Sequence, residues 1–577
     1  MFRTLLPALG IVLLASAPVQ AGDPPGALPN VSVTRALDGR YEQRRVNDSV
    51  VVGVESFHLT VHPDGTRSLV VWNDLRERGS QMDLVLSVDP DFRAREAYAR
   101  YWTAGKWRGS AHVSVRGRRL SLSSQSAGAP GNVDAEAPER LSIGAHPVSG
   151  DGWHIAAMKI DGNQGVARSF TLNPGGDAAS PLLGQMVNIP VERVGRERVV
   201  VPAGTFDTQH FRLAGVSDYW ITGEDWIVVK ARVRDREFVL VSIGAPAVHA
   251  AAGFAPGPAY QEGHKELESV MQDLIAWLPG EWSSIPQIHY ERTVQMPPSG
   301  EHENWYRSFV RIDAPQIGAY VFYGQINLGG RAGPLYPRSQ ILYKAVIDDQ
   351  AGVIRIIGQG PQEAEKFVNL QDHAELWKQV KMRSEAAVKC DFIWRRQGTQ
   401  IFGVLEGRTP ERRQYGPRTC NYTSETGAEF LADAEWVLGP EEFWLYDVNF
   451  LGGQQFIGRA DRTHIRLYRS RPYSCEIRDA KGQRTVDAYD RGFSLGVTAT
   501  RQRALTLMLL RAPYPAANGV GLDDRLRMTL AANEAPPGTA VATAEAAAAA
   551  PSIALAAEGV NVKCVRAEKF GPMPATN

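Results

Sequence analysis

At 577 residues the chain is too long for one ordinary domain, and its 63 basic and 63 acidic side chains cancel,. That balance leaves no global field to steer the protein to nucleic acid or to an anionic membrane surface. Four cysteines, with no C-x-x-C and no histidine pair at ligand spacing, argue for two disulfides and against a metal site,.

Residues 1–21 have the pattern of a cleavable signal: Arg3, an apolar run at 5–17, then Val19-Gln20-Ala21,. The run is shorter than the ~20 residues a membrane helix needs, and no later segment qualifies. The expectation is a periplasmic or secreted protein with no transmembrane span after signal removal.

From 32 to 244 the pattern predicts antiparallel strands nearly throughout, with no helical period of convincing length. Val50-Val-Val-Gly-Val-Glu-Ser-Phe-His-Leu-Thr-Val61 and Ser68-Leu-Val-Val-Trp72 flank Pro63-Asp-Gly65, a hairpin signal,. The small, polar stretch 124–140 reads as a long loop. Val201-Pro-Ala-Gly-Thr-Phe206, followed by Asp218-Tyr-Trp-Ile221 and Asp225-Trp226, is more specific. It resembles a family of exported bacterial β-proteins of unknown function. The physical reading is a tight Pro-Gly turn feeding strands whose tryptophans, Trp220 and Trp226, pack at the core or rim.

Residues 245–263, rich in Ala, Pro and Gly, read as a linker,. A helix follows from about 264, with Leu267, Val270, Met271, Leu274, Ile275 and Leu278 on one stripe, stopped by Pro279-Gly280,. Strands are then expected at 288–294, 305–312, 319–325, 340–347 and 353–357, with one or two short helices in 362–385. Further apolar runs lie between Cys390 and Cys475. The segment 476–577 is expected to form a small β-appendage with a mobile, alanine-rich loop at 531–558, although the alanines could form a helix. Four cysteines allow three pairings. Cys390–Cys420 and Cys475–Cys564 are favoured because each would tie together runs that read as strands.

Several motifs recur in order: Trp277-Leu-Pro-Gly-Glu-Trp282, Tyr323-Gly-Gln325, Tyr336-Pro-Arg-Ser-Gln-Ile-Leu-Tyr343, Cys390-x-x-x-Trp394 with Phe402-Gly403, and Asp447 ahead of Gly453 and Gly458. In that order they resemble the CpcT/CpeT-type phycobiliprotein chromophore lyases over about 265–475, within a domain expected at 264–475. The resemblance implies a lipocalin-like (calycin-type) antiparallel barrel with one N-terminal helix, in a mainly β chain. Gly324 stands where that family has a glutamate, and Asp447-Val-Asn449 where it has Asp-Arg-Gly. The resemblance points to Tyr320, Tyr323, Gln325, Arg338 and Tyr343 as pocket residues, with Trp394 and Asp447 among the matched positions. Arg459 and His464, in the polar turn Arg459-Ala-Asp-Arg-Thr-His464, could hold an anionic group,.

Gly492-Phe-Ser-Leu-Gly496 matches a nucleophile-elbow pattern, but Val497-Thr-Ala-Thr500 favours extended chain where the mechanism requires a helix,. No catalytic residue is assigned. The expected function is binding of a hydrophobic or amphipathic small molecule, a tetrapyrrole among the candidates. The alternatives are lyase-like transfer of such a ligand to a partner protein, and an envelope interaction module whose barrel is filled by its own side chains.

Overall fold

Alternation of apolar and polar residues builds nearly every element of this mainly β protein. The computed structural model describes residues 35–573 except 76–78, 127–130, 146, 159, 174–181, 245–257, 294, 296–300, 385–387, 416–418, 424–426, 460–462, 516–521 and 533–539. The signal segment, most of the linker, and Asp461 and Arg462 lie outside the described residues.

The N-terminal module is one sixteen-stranded sheet. Its first strand, Arg35–Arg45, runs between Val51–Val61 and the closing strand Arg236–Gly244. Val51–Val61 and Arg67–Leu75 form the expected hairpin, with Gly65 at φ +83° in the turn,. One face carries Leu59, Leu69, Val71, Leu84, Leu86 and Val113 into the module's core. Against that core packs α1 (Val148–Ala156), a helix where only strands were expected. Its Val-Ser-Gly-Asp-Gly start hides it from propensity. The Glu55 carboxylate holds it instead, accepting the Val148 and Ser149 N–H groups at 3.0 and 2.8 Å and so satisfying two orphan donors of the first turn,. The expected loop at 124–140 is largely strand, because Gly131–Glu136 pairs with Arg119–Ser126.

The V-P-A-G turn joins Gly184–Val201 to Gly204–Leu213. Asp225 lies beyond it and accepts from Arg35 Nη2 at 2.7 Å and Arg67 Nε at 3.1 Å, while its carbonyl accepts the Trp153 indole N–H at 3.0 Å. Trp226 follows at φ +55°. A Cβ on Gly152 of α1 would meet the Trp226 carbonyl oxygen at 2.0 Å. The motif therefore locks two strands and α1 together.

The second module is a closed ten-stranded antiparallel barrel. In order around the wall its strands are Glu429–Leu438, Gln400–Gly407, Cys390–Gln397, Val353–Gln359, Ile341–Asp348, Tyr320–Leu328, Trp305–Ile312, Gly280–Ser283, Ile465–Arg469 and Glu442–Leu451, which pairs back with the first. The helix α2 (Pro258–Trp277) inserts its apolar stripe, Leu267, Val270, Met271 and Leu274, into the barrel's core. Residues 285–293 are helical (α3, Ile285–Thr293), not the expected strand. Ile288 and Tyr290 suggested period two, but Pro286, Gln287, Ile288, Tyr290 and Glu291 are all buried between neighbours, so no single-faced stripe exists to betray a helix,.

After the barrel come two four-stranded sheets that share one core. Cys475 pairs directly opposite Cys564 in the first, and the two are disulfide-bonded, as are Cys390 and Cys420. Part of the expected mobile loop is ordered: Ala540–Ala547 and Ser552–Ala557 are strands. Val541, Ala544, Ala546 and Leu555 pack on the shared core, so strand pairing overrides alanine's helical preference,. Among the described residues no helix is long and apolar enough to cross a membrane.

Candidate functional site

Strand parity decides which side chains enter the barrel. Along Trp305–Ile312, Trp305 and Phe309 face inward, whereas Val310 and Ile312 pack against the outer segment 364–380. Arg307, between the first two, is 7% exposed and lies over aromatic rings: Trp436 at 4.9 Å, Phe309 at 5.1 Å and Phe443 at 6.0 Å,. Tyr343 and Trp394 belong to the same interior cluster. Trp394 faces Gly403 across the ladder, and a Cβ there would sit 2.6 Å from the indole ring. Gly324 is matched to its surroundings in the same way, since a Cβ would lie 2.8 Å from Phe309. Aromatic rings therefore fill the room a glutamate would need.

Asp447 also lies on this face, half-buried, accepting from Asn449 Nδ2 at 2.8 Å. Burial pushes its carboxyl up to about 6, against the opposing pull of Arg307,. Burial in turn lowers the Arg307 guanidinium from its usual range. Leu328, Tyr336, Ile341 and Phe392 are only partly buried against the same core. Three buried donors in this interior have no hydrogen-bond partner among the described residues: Arg307 Nε, Trp394 Nε1 and Trp436 Nε1,.

Of the residues singled out from sequence, Tyr343, Trp394 and Asp447 meet here. Tyr320 joins them, half-buried against the same cluster, with the Arg311 guanidinium 5.5 Å from its ring centre. Tyr323 and Gln325 point out of the barrel. Tyr323 Oη donates to Gln325 Oε1 at 2.8 Å, and Gln325 Nε2 donates to Asn369 Oδ1 at 2.7 Å, so they anchor the 3₁₀ segment that covers the wall. Arg338 is exposed in a loop at φ +60°, and Arg459 donates to the Glu301 carbonyl at 2.7 Å. His464 is fully buried, but between modules. Sequence reading missed Arg307, Trp436, Phe309 and Phe443. The alternation Trp305-Tyr-Arg-Ser-Phe309 could have found Arg307, because it puts the arginine on the face of two inward aromatics.

His464 belongs to a second polar region, the seam where the outer face of the N-terminal sheet meets the barrel around Val70, Val85, Phe402, Val437 and Trp444. Its Nδ1 lies 2.8 Å from Glu96 Oε1 and its Nε2 lies 3.6 Å from Glu435 Oε1. Beside it, His62 Nδ1 is 2.8 Å from Asp433 and His62 Nε2 is 3.1 Å from Ser68 Oγ. That spacing imitates a Ser-His-Asp triad, but the protons run the wrong way. Ser68 Oγ lies 2.9 and 3.0 Å from the two Glu435 oxygens. Glu435 is held down at about 2 by His464 and His62 despite its burial, so it can only accept,. The hydroxyl proton goes to Glu435, and His62 donates from both nitrogens. Burial alone would depress His62, but Asp433 and Glu435 hold it above its usual range. Ser68, His62 and Asp433 are each at most 2% exposed, so this is a structural ion network and not a nucleophile,.

No family model and no curated protein sequence matches the chain. Among solved structures, the CRL protein of Arabidopsis, in selenomethionine form, aligns at 12% identity and a TM-score of 0.24, over 36% of this chain and 97% of that one. The LG1-3 region of the laminin α2 chain aligns at 7% identity and a TM-score of 0.08, over 95% of this chain and 91% of that one. Neither superposition is close enough to carry a functional argument.

Proposed function

We propose that the protein is an exported binding protein whose barrel holds one end of a hydrophobic or amphipathic small molecule. The observation that supports this most directly is the set of unpartnered buried donors, Arg307 Nε, Trp394 Nε1 and Trp436 Nε1. A ligand carbonyl or carboxylate would satisfy them, and the rings of Trp436, Phe443 and Phe309 offer apolar and stacking contact,. Asp447 would accept an N–H from a ligand that carries both kinds of group. A tetrapyrrole, with carboxylates and pyrrole N–H groups on a flat apolar body, is one member of this class. The signal pattern at 1–21 and two disulfides support an oxidising, extracytoplasmic address,.

The test is to purify the protein from its native host and record absorption and mass spectra of what it retains. Any retained or rebound bilin, haem or lipid should be lost in Arg307→Met with the fold intact. Absence of all three after rebinding trials rejects the binding reading. A second reading, an envelope interaction module with a filled barrel and a protein partner, is favoured by the aromatic packing around Gly324 and Gly403.

A further inference from the structure

A cavity of about 310 Å³ lies where the three modules meet, outside the barrel interior. On the scale of liquid water, at roughly 30 Å³ per molecule, it is the size of about ten waters. The N-terminal sheet contributes His112, α3 contributes Tyr290, the barrel contributes Arg466, and the C-terminal sheets and the segment before them contribute Arg471, Arg491 and Arg511. Five of these six side chains are at least nine-tenths buried: His112 7%, Tyr290 3%, Arg466 5%, Arg491 5% and Arg511 3% exposed.

Their hydrogen-bonding capacity is not used up. Tyr290 Oη, both His112 ring nitrogens, Arg466 Nε and Arg491 Nε have no hydrogen-bond partner among the described residues. The carboxylates on the cavity wall serve the arginines unevenly. Glu441 is 3.1 Å from Arg471 but 3.9 Å from Arg511, Asp524 is 3.9 Å from Arg491, and Glu442 is taken by Tyr98 Oη at 2.8 Å. Arg466 makes no ion pair within 4.0 Å among the described residues; its Nη1 donates to Tyr468 Oη at 3.0 Å, and its guanidinium lies 5.5 Å from the Trp444 ring centre. Burial, reinforced by the charge of Arg491, draws the Arg511 guanidinium down to about 10, even with Asp490 at 3.2 Å.

We propose that this junction cavity binds a small anion of the carboxylate or phosphate class, held by Arg466 and Arg491 and hydrogen-bonded by Tyr290 and His112. Such an anion meets the idle donors and offsets the crowded guanidiniums. Because its contacts come from all three modules, occupancy fastens them to one another. Ala549, on an exposed turn at the cavity rim, gives a way to close the site without touching its charges.

The test is calorimetric titration of the mature protein with inorganic phosphate and, separately, with citrate at constant ionic strength, accompanied by thermal melts. The expected result is one-site, saturable binding of at least one probe, with a melting temperature that climbs with its concentration. The stronger probe identifies the source of the charge. Ala549→Trp should weaken binding at least about ten-fold, and Tyr290→Phe should weaken it roughly ten-fold through loss of one hydrogen bond to a charged group. Neither substitution should lower the melting temperature of the unliganded protein. No heat from either probe, or unchanged affinity in Ala549→Trp, overturns the proposal.

Discussion

Along the seam between the N-terminal sheet and the barrel, buried charges are matched to one another. Glu96, Asp433 and Glu435 face His62 and His464, and Ser68 completes the chain. Inside the barrel the polar groups are fewer, and Arg307 and two indoles have donors that nothing among the described residues accepts. The seam has the denser titratable chemistry and triad-like distances, yet the Ser68 and His62 protons are committed internally, and only the longer 3.6 Å ion pair from His464 Nε2 to Glu435 falls short of a hydrogen bond. Density of ionisable groups therefore marks a joint here, and unpartnered donors set among stacked aromatic rings mark the candidate site. Each perturbation below tests that contrast.

The largest effect is expected from Glu435→Ala. It removes the acceptor of Ser68 and the charge partner of His464, and leaves buried cationic groups short of a counter-charge, which typically costs about 3–5 kcal/mol,. Urea unfolding should show it, with limited proteolysis releasing the N-terminal module first. An unchanged midpoint would mean the seam carries no coupling between modules.

Alkali should loosen the same joint. Glu435 and Glu96 lift His464 to about 9 despite its burial, and His62 is raised as well. A histidine whose folded pKa exceeds its unfolded value of 6.5 stabilises fully below 6.5 and loses that share as pH rises through the folded value. Stability should therefore fall between pH 7 and 10, with His464 governing the upper part of the loss. Asp151, lifted from 3.8 to about 8 by burial and by Glu55, loses its share between those two values, so only the last part of that loss falls above pH 7,. Glu435 is depressed, so its share is full above its unfolded value of 4.5 and is lost as pH falls from there to about 2,. Acid also acts at His112, which is kept neutral by burial and by Arg466, down to about 3, and that share is lost as pH drops below 6.5. Urea midpoints at pH 7 and 10 decide the alkaline prediction, and equal midpoints would contradict it.

How much of this was legible in the sequence differs between the two regions. The barrel strands were readable because Trp305-Tyr-Arg-Ser-Phe309 and its neighbours alternate, and α2 because its stripe is one-sided. Inward and outward sides were not, since parity depends on register set by distant strands; Tyr323 and Gln325 fall one residue away from the interior on either side of Gly324. The seam was invisible because His464 and Glu96 are 368 residues apart in sequence. α3 was misread because it is buried nearly all round. The fold class was thus carried by local pattern, and the site by pairings no local pattern encodes.

A middle-sized effect separates a filled barrel from an open one. Gly403→Ala places a Cβ 2.6 Å from the Trp394 indole, and overpacking of this kind costs about 1–3 kcal/mol,. A drop of that size, with altered tryptophan fluorescence, indicates that Trp394 cannot move aside. No drop would indicate free room beside it and would favour the ligand reading. Asp447→Asn bears on the same interior through titration. The carboxyl changes charge near pH 6, so ligand donors should bind it more tightly as pH rises from 5 to 7, and the variant should remove that dependence. Binding isotherms of the retained molecule at both pH values give the answer.

The smallest effect is expected at Ser494. The Gly492-Phe-Ser-Leu-Gly496 match would place it on a strained strand-to-helix turn if it were a nucleophile. Instead it lies exposed inside the extended strand Arg491–Thr498, opposite Met508, with Phe493 and Val497 turned into the shared core. Among the described residues no hydrogen bond links it to a histidine, and α-helix does not follow it. Ser494→Ala should change stability by no more than about 0.5 kcal/mol, as surface substitutions usually do. It should also leave untouched any labelling of the protein by a serine-directed fluorophosphonate. Loss of labelling in this variant alone would show a reactive hydroxyl where the strand geometry provides no base, and the contrast between committed and unmet polar groups would then fail at its simplest position.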